Sequence, residues 1–299
     1  MAKDNASDEF IKRLLDATAA GKLDQISVLL EESKKYSPLS VPNAQALLEK
    51  AARNGQAETD RFLFDTLPEC GQKTPWEPTL PESFDAEDFP KTWSRAENGV
   101  VHAALDGTDP PKVIKVLLDA GLSPNFELGQ AGNLLSSSLH STELVKLLLE
   151  KGADPNGQYL SQTYVARAAA LPTVDVLNLL VKHGARLEGS PLRKAAEYRR
   201  ILNVERLLEL GQDINEVFTE TTYLSEPPSQ VILGSALHSA VQGGRLQLPV
   251  TNSPAEMVRF LLGHGAKADI LDGEGKTAFQ LAKGREDIVQ AFKDHGVTE

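Results

Sequence analysis

One short phrase recurs six times in this 299-residue chain and restricts what the chain can fold into. Each copy has apolar residues at helical spacing and ends at a glycine, the residue that most readily adopts the left-handed conformation that closes a helix. The terminal glycines are Gly121, Gly152, Gly184, Gly211, Gly265 and Gly296. They lie 31, 32, 27, 54 and 31 residues apart, and the interval of 54 is close to two units. Such a period predicts a stack of helical units rather than one deep core.

A second, shorter helical pattern precedes several of these phrases. The clearest copies are Ser190–Ala196, Ser235–Val241 and Thr277–Lys283. Each begins with a serine or threonine, whose side-chain oxygen can accept a hydrogen bond from the first turn of a helix. The alanines that follow allow a neighbouring helix to approach closely. Each unit is therefore predicted to contain two helices, the first short and rich in alanine and the second rich in leucine and valine.

These patterns resemble the ankyrin-repeat family, whose unit is about 33 residues of β-turn and two antiparallel helices. The family's finger sequence Gly-Ala-Asp-Pro-Asn stands unaltered at Gly152–Asn156, and looser first-helix sequences occur at 99–105 and 163–169. The resemblance extends over roughly eight units that span residues 9–296. It implies an all-α solenoid of stacked helix-turn-helix units with β-turn finger loops, curved around a concave groove.

The register of the repeats also predicts where the array is interrupted. We expect a tail over 1–8 and two degenerate capping repeats over 9–70. An acidic aromatic insertion over 71–98 then precedes four repeats over 99–215. A finger insertion over 216–234 is followed by two repeats over 235–299, which contain an inserted loop at 243–253. Because ordinary units need only short connections, the insertions are the first places to look for function.

The insertion over 71–98 contains both tryptophans of the chain, Trp76 and Trp93, among acidic residues and prolines. Its aromatic side chains could pack on the array to hold the loop, or they could contact a partner directly. A third hypothesis, based on charge complementarity alone, is that this acidic segment covers a basic groove until a partner displaces it. The sequence leaves these alternatives open.

By the resemblance, the residue before the paired alanines of each first helix and those just after them face the groove, and Ser239 and His140 are among these residues. This rule places Arg167 and Lys194 there, and Arg193 replaces the family's usual histidine, so a basic band is expected. The alternative is that Glu197, Glu205 or the acidic insertion neutralises these cations, and such solvated pairs contribute only about 0–1 kcal/mol each. The full set of candidate binding residues is Trp76, Trp93, His140, Tyr164, Arg167, Arg193, Lys194, Tyr198 and Tyr223.

Motifs for catalysis or metal binding are missing from the sequence. It contains no His-Glu-x-x-His, Gly-x-Ser-x-Gly or phosphate-loop pattern, and Cys70 is the single cysteine. His102 and His238 occupy the family's structural histidine position, and His183, His264 and His295 precede the glycines that end second helices. We therefore expect no catalytic residue, no metal site and no cofactor.

The net charge of −11 argues against broad binding to nucleic acids or anionic membranes. The start of the sequence lacks an apolar signal core, so a cytoplasmic location is expected, with the nucleus as the alternative. The leading functional prediction is a non-enzymatic scaffold or adaptor that binds a protein partner, with an acidic segment as one option, and acts as a monomer. The alternative is a small-molecule-binding protein or enzyme whose pocket lies between the groove and the insertions 71–98 and 216–234.

Overall fold

The computed structural model describes residues 2–34, 41–67, 99–222, 229–243 and 252–298. These residues divide into two compact units. The N-terminal unit comprises 1–138 and 146–153, and the C-terminal unit comprises 139–145 and 154–299. Both units consist of helix pairs, and in each pair we call the two helices the first and the second helix. The prediction of an all-α repeat fold is confirmed.

The N-terminal unit stacks its first helices on one another. Its helices are α1 (Ala2–Ala19), α2 (Leu23–Lys34), α3 (Val41–Arg53), α4 (Ala57–Thr66), α5 (Gly99–Leu105), α6 (Pro110–Asp119) and α7 (Leu134–Ser138), and α8 (Thr142–Glu150) contributes residues to both units. The first helices α1, α3 and α5 pack in sequence order, and the second helices α4 and α6 also pack together. The paired alanines Ala51–Ala52 and Ala103–Ala104 are fully buried at these contacts.

The C-terminal unit repeats this arrangement and adds two β-hairpins. Its helices are α9 (Tyr164–Ala169), α10 (Asp175–Lys182), α11 (Pro191–Glu197), α12 (Ile201–Glu209), α13 (Ala236–Gln242), α14 (Pro254–Gly263), α15 (Ala278–Leu281) and α16 (Glu286–Lys293). Its strands are β1 (Gln158–Tyr159), β2 (Gln162–Thr163), β3 (Phe218–Thr222) and β4 (Ser229–Gly234). The first helices α9, α11, α13 and α15 pack in order, and α14 packs on α16.

The helix ends agree with the sequence pattern at most positions. All six phrase-ending glycines have positive φ, with values such as 92° at Gly152 and 91° at Gly184. Ser235 and Thr277 begin α13 and α15 in capping boxes with His238 and Gln280.

Two boundary predictions do not hold. Ser190 precedes α11 in a left-handed conformation, φ 58°, and makes no capping bond because its backbone is not extended as an N-cap requires. In addition, α1 begins at Ala2, so residues 2–8 extend a helix rather than form a tail. Neither glycine nor proline occurs in that stretch to stop it.

Asparagines in the fingers join successive repeats. The side-chain amide of Asn156 donates to the carbonyl of Gly184 at 3.4 Å, and its oxygen accepts from the backbone N–H of Arg186 at 2.9 Å. Asn215 makes the same pair of bonds with Gly265 and Lys267, at 3.3 and 2.7 Å. In the N-terminal unit, Asn125 donates to Gly152 at 3.4 Å. Each bond connects the finger of one repeat to the helix end of the next.

The end of α9 is closed by side chains of the following repeat instead of by a glycine. Asn203 on α12 donates to the carbonyls of Ala169 and Leu171 at 2.9 and 3.0 Å. Arg200 Nε donates to the carbonyl of Ala170 at 2.9 Å. Both side chains are buried, so they supply donors to helix-end carbonyls that water cannot reach.

The finger insertion over 216–234 forms the antiparallel hairpin β3–β4. Its register pairs Thr219 with Ile232, and an irregularity follows Phe218, whose side chain is buried. The carbonyl of Ile232 accepts from the backbone N–H of Gly273 in the next finger at 2.9 Å. A Cβ atom at Gly273 would lie 2.8 Å from that carbonyl oxygen, so this contact requires glycine. The hairpin is therefore attached to the last repeat.

The N-terminal unit also buries one carboxylate without a partner. Asp60, on the second helix α4, is 0% exposed, and neither of its oxygens has a hydrogen-bond partner among the residues that the structure describes. Burial disfavours the charged form and raises the pKa of Asp60 from 3.8 to about 8. The folded protein thus holds a proton at this position that the unfolded chain releases.

Asp60 makes the stability of the chain depend on pH. Between the unfolded pKa of 3.8 and the folded value of about 8, the folded state binds the proton more tightly, so the free energy of unfolding falls as pH rises. The loss amounts to at most about 1.4 kcal/mol per pH unit in that window. Urea denaturation between pH 5 and pH 9 should show this fall for the wild type and a flatter profile for Asp60→Asn. Glu58→Gln, an exposed change on the same helix, is the control and should keep the wild-type slope.

Asn203→Ala should destabilise the C-terminal unit because two buried carbonyls at the end of α9 lose their donor. We expect the free energy of unfolding to fall by about 2–3 kcal/mol, measured by urea denaturation. Leu202→Ala is the neighbouring control: Leu202 is exposed, and its truncation should change stability by less than about 0.5 kcal/mol. Equal effects of the two substitutions would contradict the structural role given to Asn203.

Candidate functional site

Three of the nine sequence-predicted binding residues lie outside the described residues. They are Trp76 and Trp93 of the 71–98 insertion and Tyr223 of the 216–234 insertion. The predicted roles of that insertion, as contact, lid or packing element, lie outside the described residues as well. The remaining six belong to the C-terminal unit, and five of them lie on or directly beside α9 and α11.

Two of the predicted cations share one carboxylate. Arg193 Nη1 lies 3.2 Å from Glu197 Oε2, and Lys194 Nζ lies 3.0 Å from the same oxygen. All three side chains are between 14% and 18% exposed, so solvent screens these ion pairs only partly. The alternative that Glu197 binds the basic residues is therefore present in the structure. One carboxylate facing two cations still leaves the cluster with one excess positive charge.

Arg167 occupies the corresponding position on the preceding first helix, α9. Its guanidinium carbon lies 5.2 Å from the centre of the Tyr159 ring, which the β1–β2 hairpin places over it. This is a cation–π distance, and the ring stabilises the cation without neutralising it. Partial burial lowers the pKa of Arg167, while Tyr159 and Tyr164 act in the opposite direction. The arginine remains charged, since its ordinary pKa is far above neutral pH.

Because α9 and α11 pack on each other, these side chains lie on neighbouring helices, and we call the set the basic face. It consists of Tyr159, Arg167, Arg193, Lys194 and Glu197. Every other residue of α9 is buried. The helices thus fix the backbone positions from which the charged groups project, and packed helices lie about 8–10 Å apart. Tyr159 is the member that the sequence did not indicate, since only the hairpin brings it to Arg167.

Two predicted aromatic contact residues are buried within the array. Tyr164 is 2% exposed and Tyr198 is 8% exposed. The ring of Tyr164 lies directly against Gly157, where a Cβ atom would come within 2.4 Å of it. Neither ring offers a surface to a partner, which corrects the expectation that both would contact one. Repeat register gives the helix position of a side chain, but it does not reveal that a finger covers the ring.

Two further residues expected to face the groove, Ser239 and His140, do not join the basic face. Ser239 on α13 was expected in the groove but is buried. His140 is exposed, just before α8, and no hydrogen bond or ion pair of the described chain joins it to Arg193 or Lys194. The structure therefore brings together Arg167, Arg193 and Lys194, and does not bring His140 to them.

Three of the histidines predicted to have structural roles, His238, His264 and His295, make hydrogen bonds that support those roles. His238 Nδ1 lies 3.1 Å from the backbone nitrogen of Ser235, and Nε2 lies 3.1 Å from the carbonyl of Lys276. One neutral tautomer, protonated on Nε2, satisfies both bonds. Burial lowers the pKa of His238, in keeping with that neutral form. His264 and His295 each bond a carbonyl in the last turn of their own helix, at 2.8 and 3.0 Å.

The described residues show few other sites for chemistry. Within them, no group of His, Cys, Asp and Glu side chains is placed to hold a metal ion, and no helix has the length and apolar content needed to cross a membrane. A depression of about 650 Å³ lies on the last repeat, lined by residues including Phe279, Lys283 and Val289. None of the sequence-predicted binding residues lines it. The alternative of a pocket under the 71–98 insertion involves residues outside the described set.

Comparison with known proteins agrees with the helix-pair geometry. The ankyrin-repeat protein EF0377 aligns with a TM-score of 0.50 and 27% identity, over 65% of this chain and 96% of that chain. This match, together with the repeat pattern, supports an ankyrin-repeat family for the chain. No protein-family model matches the sequence. The ankyrin repeat domain of human ASB11 aligns over 96% of this chain at 17% identity, with a TM-score of 0.49.

A human protein offers a sequence match of narrower extent. The human ankyrin repeat and MYND domain-containing protein 1 is 24% identical over 224 residues, or 62% of this chain and 24% of that protein. The match with this chain thus spans about a quarter of the length of this curated relative. The similarity to ankyrin-repeat proteins indicates a protein-interaction repeat domain.

Removal of Glu197 should destabilise the array, because Arg193 and Lys194 would face each other without their shared carboxylate. We expect Glu197→Gln to lower the free energy of unfolding by about 1–3 kcal/mol, with partial recovery in 0.5 M salt. Glu188→Gln is the matched control, since Glu188 pairs with Arg186 on the exposed surface and should contribute less than about 1 kcal/mol. Urea denaturation at two salt concentrations measures both effects. A salt-independent loss would contradict the electrostatic origin.

Proposed function

We propose that the chain is a non-enzymatic scaffold that binds a protein partner through the basic face of its C-terminal unit. The observation that carries this proposal is the excess of positive charge at Arg167, Arg193 and Lys194 in a chain whose net charge is −11. Cations fixed by helices lose little conformational freedom on binding. Arginine and tyrosine are also the residues that most often dominate protein interfaces.

The β3–β4 hairpin provides exposed apolar side chains that the same protein partner would contact. Val231 and Ile232 on β4 and Leu271 in the next finger are 43%, 44% and 53% exposed. The bond between Gly273 and Ile232 attaches the hairpin to the following finger, so the apolar side chains start from a fixed backbone. Finger residues and first-helix residues together combine apolar burial with charge, as specific interfaces usually do.

The chemistry of the basic face favours a partner with an acidic segment. Carboxylates match the planar donors of arginine and would also compete with Glu197 for Lys194. The overall negative charge disfavours nucleic acids and anionic membranes as partners. We further propose that the chain acts as a monomer, in the cytoplasm or the nucleus.

Charge reversal on the basic face tests this function. We expect the double variant Arg167→Glu with Lys194→Glu to lose the proteins that the wild type enriches in affinity capture. Binding of the purified leading partner should weaken at least about tenfold, since two attractive contacts become repulsive. Circular dichroism must show that the variant keeps its helix content.

A second double variant supplies the matched control. Lys182→Glu with Lys293→Glu reverses the same number of charges on exposed sites of second helices in the same unit. It should retain the partner with less than about a twofold change in affinity. If the basic-face variant folds and keeps every partner, the proposed binding surface is wrong. If both variants lose the partner equally, net charge rather than this face controls binding.

A further inference from the structure

Arg199 occupies a backbone position that three other repeats of this array give to glycine. It is the residue just before the N-cap of a second helix and has φ 58°. The corresponding residues in three other repeats are Gly21, Gly55 and Gly284, with φ of 65°, 66° and 86°. A side chain in this left-handed region costs about 1 kcal/mol relative to glycine. The chain therefore carries an arginine where its own pattern favours no side chain.

The side chain of Arg199 is also poorly satisfied. Its Nε is buried and has no hydrogen-bond partner among the described residues. Its Nη2 lies against the backbone of Gly243, only 2.7 Å from where a Cβ atom would stand. A buried donor without a partner is unfavourable, and more so for a charged group. The backbone around it is held in place, because the Arg199 carbonyl accepts from Asn252 Nδ2 at 3.0 Å.

A second cation lies close to this one. Arg285, at the N-cap of α16, donates from Nη1 to the carbonyl of Val241 near the end of α13. Burial, and then the charge of Arg285, lower the pKa of Arg199, as expected for neighbouring like charges. None of the ion pairs of the described residues includes Arg199 or Arg285.

Three unfavourable features thus coincide at the connections between first and second helices: a left-handed arginine, a buried guanidinium nitrogen without a partner, and two adjacent positive charges. One anion would offset the last two, because it would accept from the Arg199 guanidinium and screen Arg285. Backbone strain kept at one position is a reason to look for function there. We propose that Arg199 and Arg285 form a binding site for a carboxylate in an acidic segment of a protein partner.

This acidic-segment site is separate from the basic face and does not depend on it. Its two arginines lie at the connections α11–α12 and α15–α16, whereas the basic face lies on the first helices α9 and α11. Arginine suits a carboxylate ligand because its planar donors can make two parallel hydrogen bonds. A lysine at either position would supply charge without that geometry.

The site can be tested with a fluorescein-labelled octaglutamate peptide and the full chain. Fluorescence anisotropy at low salt should show saturable binding to the wild type, and a neutral Ser-Gln octapeptide should bind at least about tenfold more weakly. Arg199→Gly should weaken octaglutamate binding at least about fivefold. Its melting temperature should equal or exceed that of the wild type, because glycine relieves the left-handed strain. Arg285→Gln should weaken binding in the same direction.

Arg186→Gln is the matched control, since it removes one exposed arginine from a finger of the same unit. It should change octaglutamate affinity less than about twofold. The inference is overturned if the wild type shows no binding of octaglutamate below about 1 mM. It is also overturned if Arg199→Gly binds the peptide as tightly as the wild type does.

The basic-face variant Arg167→Glu with Lys194→Glu separates the two proposals in the same titration. If it loses octaglutamate while Arg199→Gly keeps it, the acidic-segment site is wrong and the basic face stands. If Arg199→Gly loses the peptide and the basic-face variant keeps it, the acidic-segment site is supported and the basic face has failed this test. Additive losses in the two variants support both sites.

Discussion

The array depends on a hydrogen bond between the asparagine of one finger and the glycine that ends the helix of the next repeat. Asn125, Asn156 and Asn215 each donate to such a glycine carbonyl. The glycine must close its own helix in a left-handed conformation and accept this bond from the preceding repeat. A single repeat cannot form this second contact, so the units are stable only in succession.

This connection also explains where the chain tolerates departures from its pattern. The bond from Asn215 to Gly265 spans 50 residues, which include the β3–β4 hairpin, yet the two groups meet as in an uninterrupted repeat. The first helix α9 has no closing glycine, and Arg200 and Asn203 of the next repeat donate to the buried carbonyls at its end. In both places a hydrogen bond between residues distant in sequence satisfies a backbone carbonyl, because buried backbone groups must find a partner.

Charged residues of the same type have different roles in different surroundings. Arg193 shares a carboxylate, Arg167 lies against an aromatic ring, Arg200 closes a helix, and Arg199 is strained beside Arg285. Asp60 is held protonated because it is buried without a partner. The net charge of −11 therefore says little about any one surface. Local geometry decides which charges remain available to a ligand.

The sequence by itself determined the repeat fold, the glycine-ended helices, the buried alanine pairs and the scaffold role of His238, because each follows from local spacing and conformational preference. It also indicated Arg167, Arg193 and Lys194, since repeat register fixes their positions on first helices. Only the tertiary structure decided that Tyr164 and Tyr198 are buried, that Tyr159 covers Arg167, and that Asp60 lacks a partner. Burial and pairing depend on groups brought from other helices and fingers, and a single-repeat pattern carries no information about those contacts. Arg199 lies between the two cases: three other repeats have glycine at its register position, but the Nε atom without a partner beside Arg285 appears only when the repeats pack together.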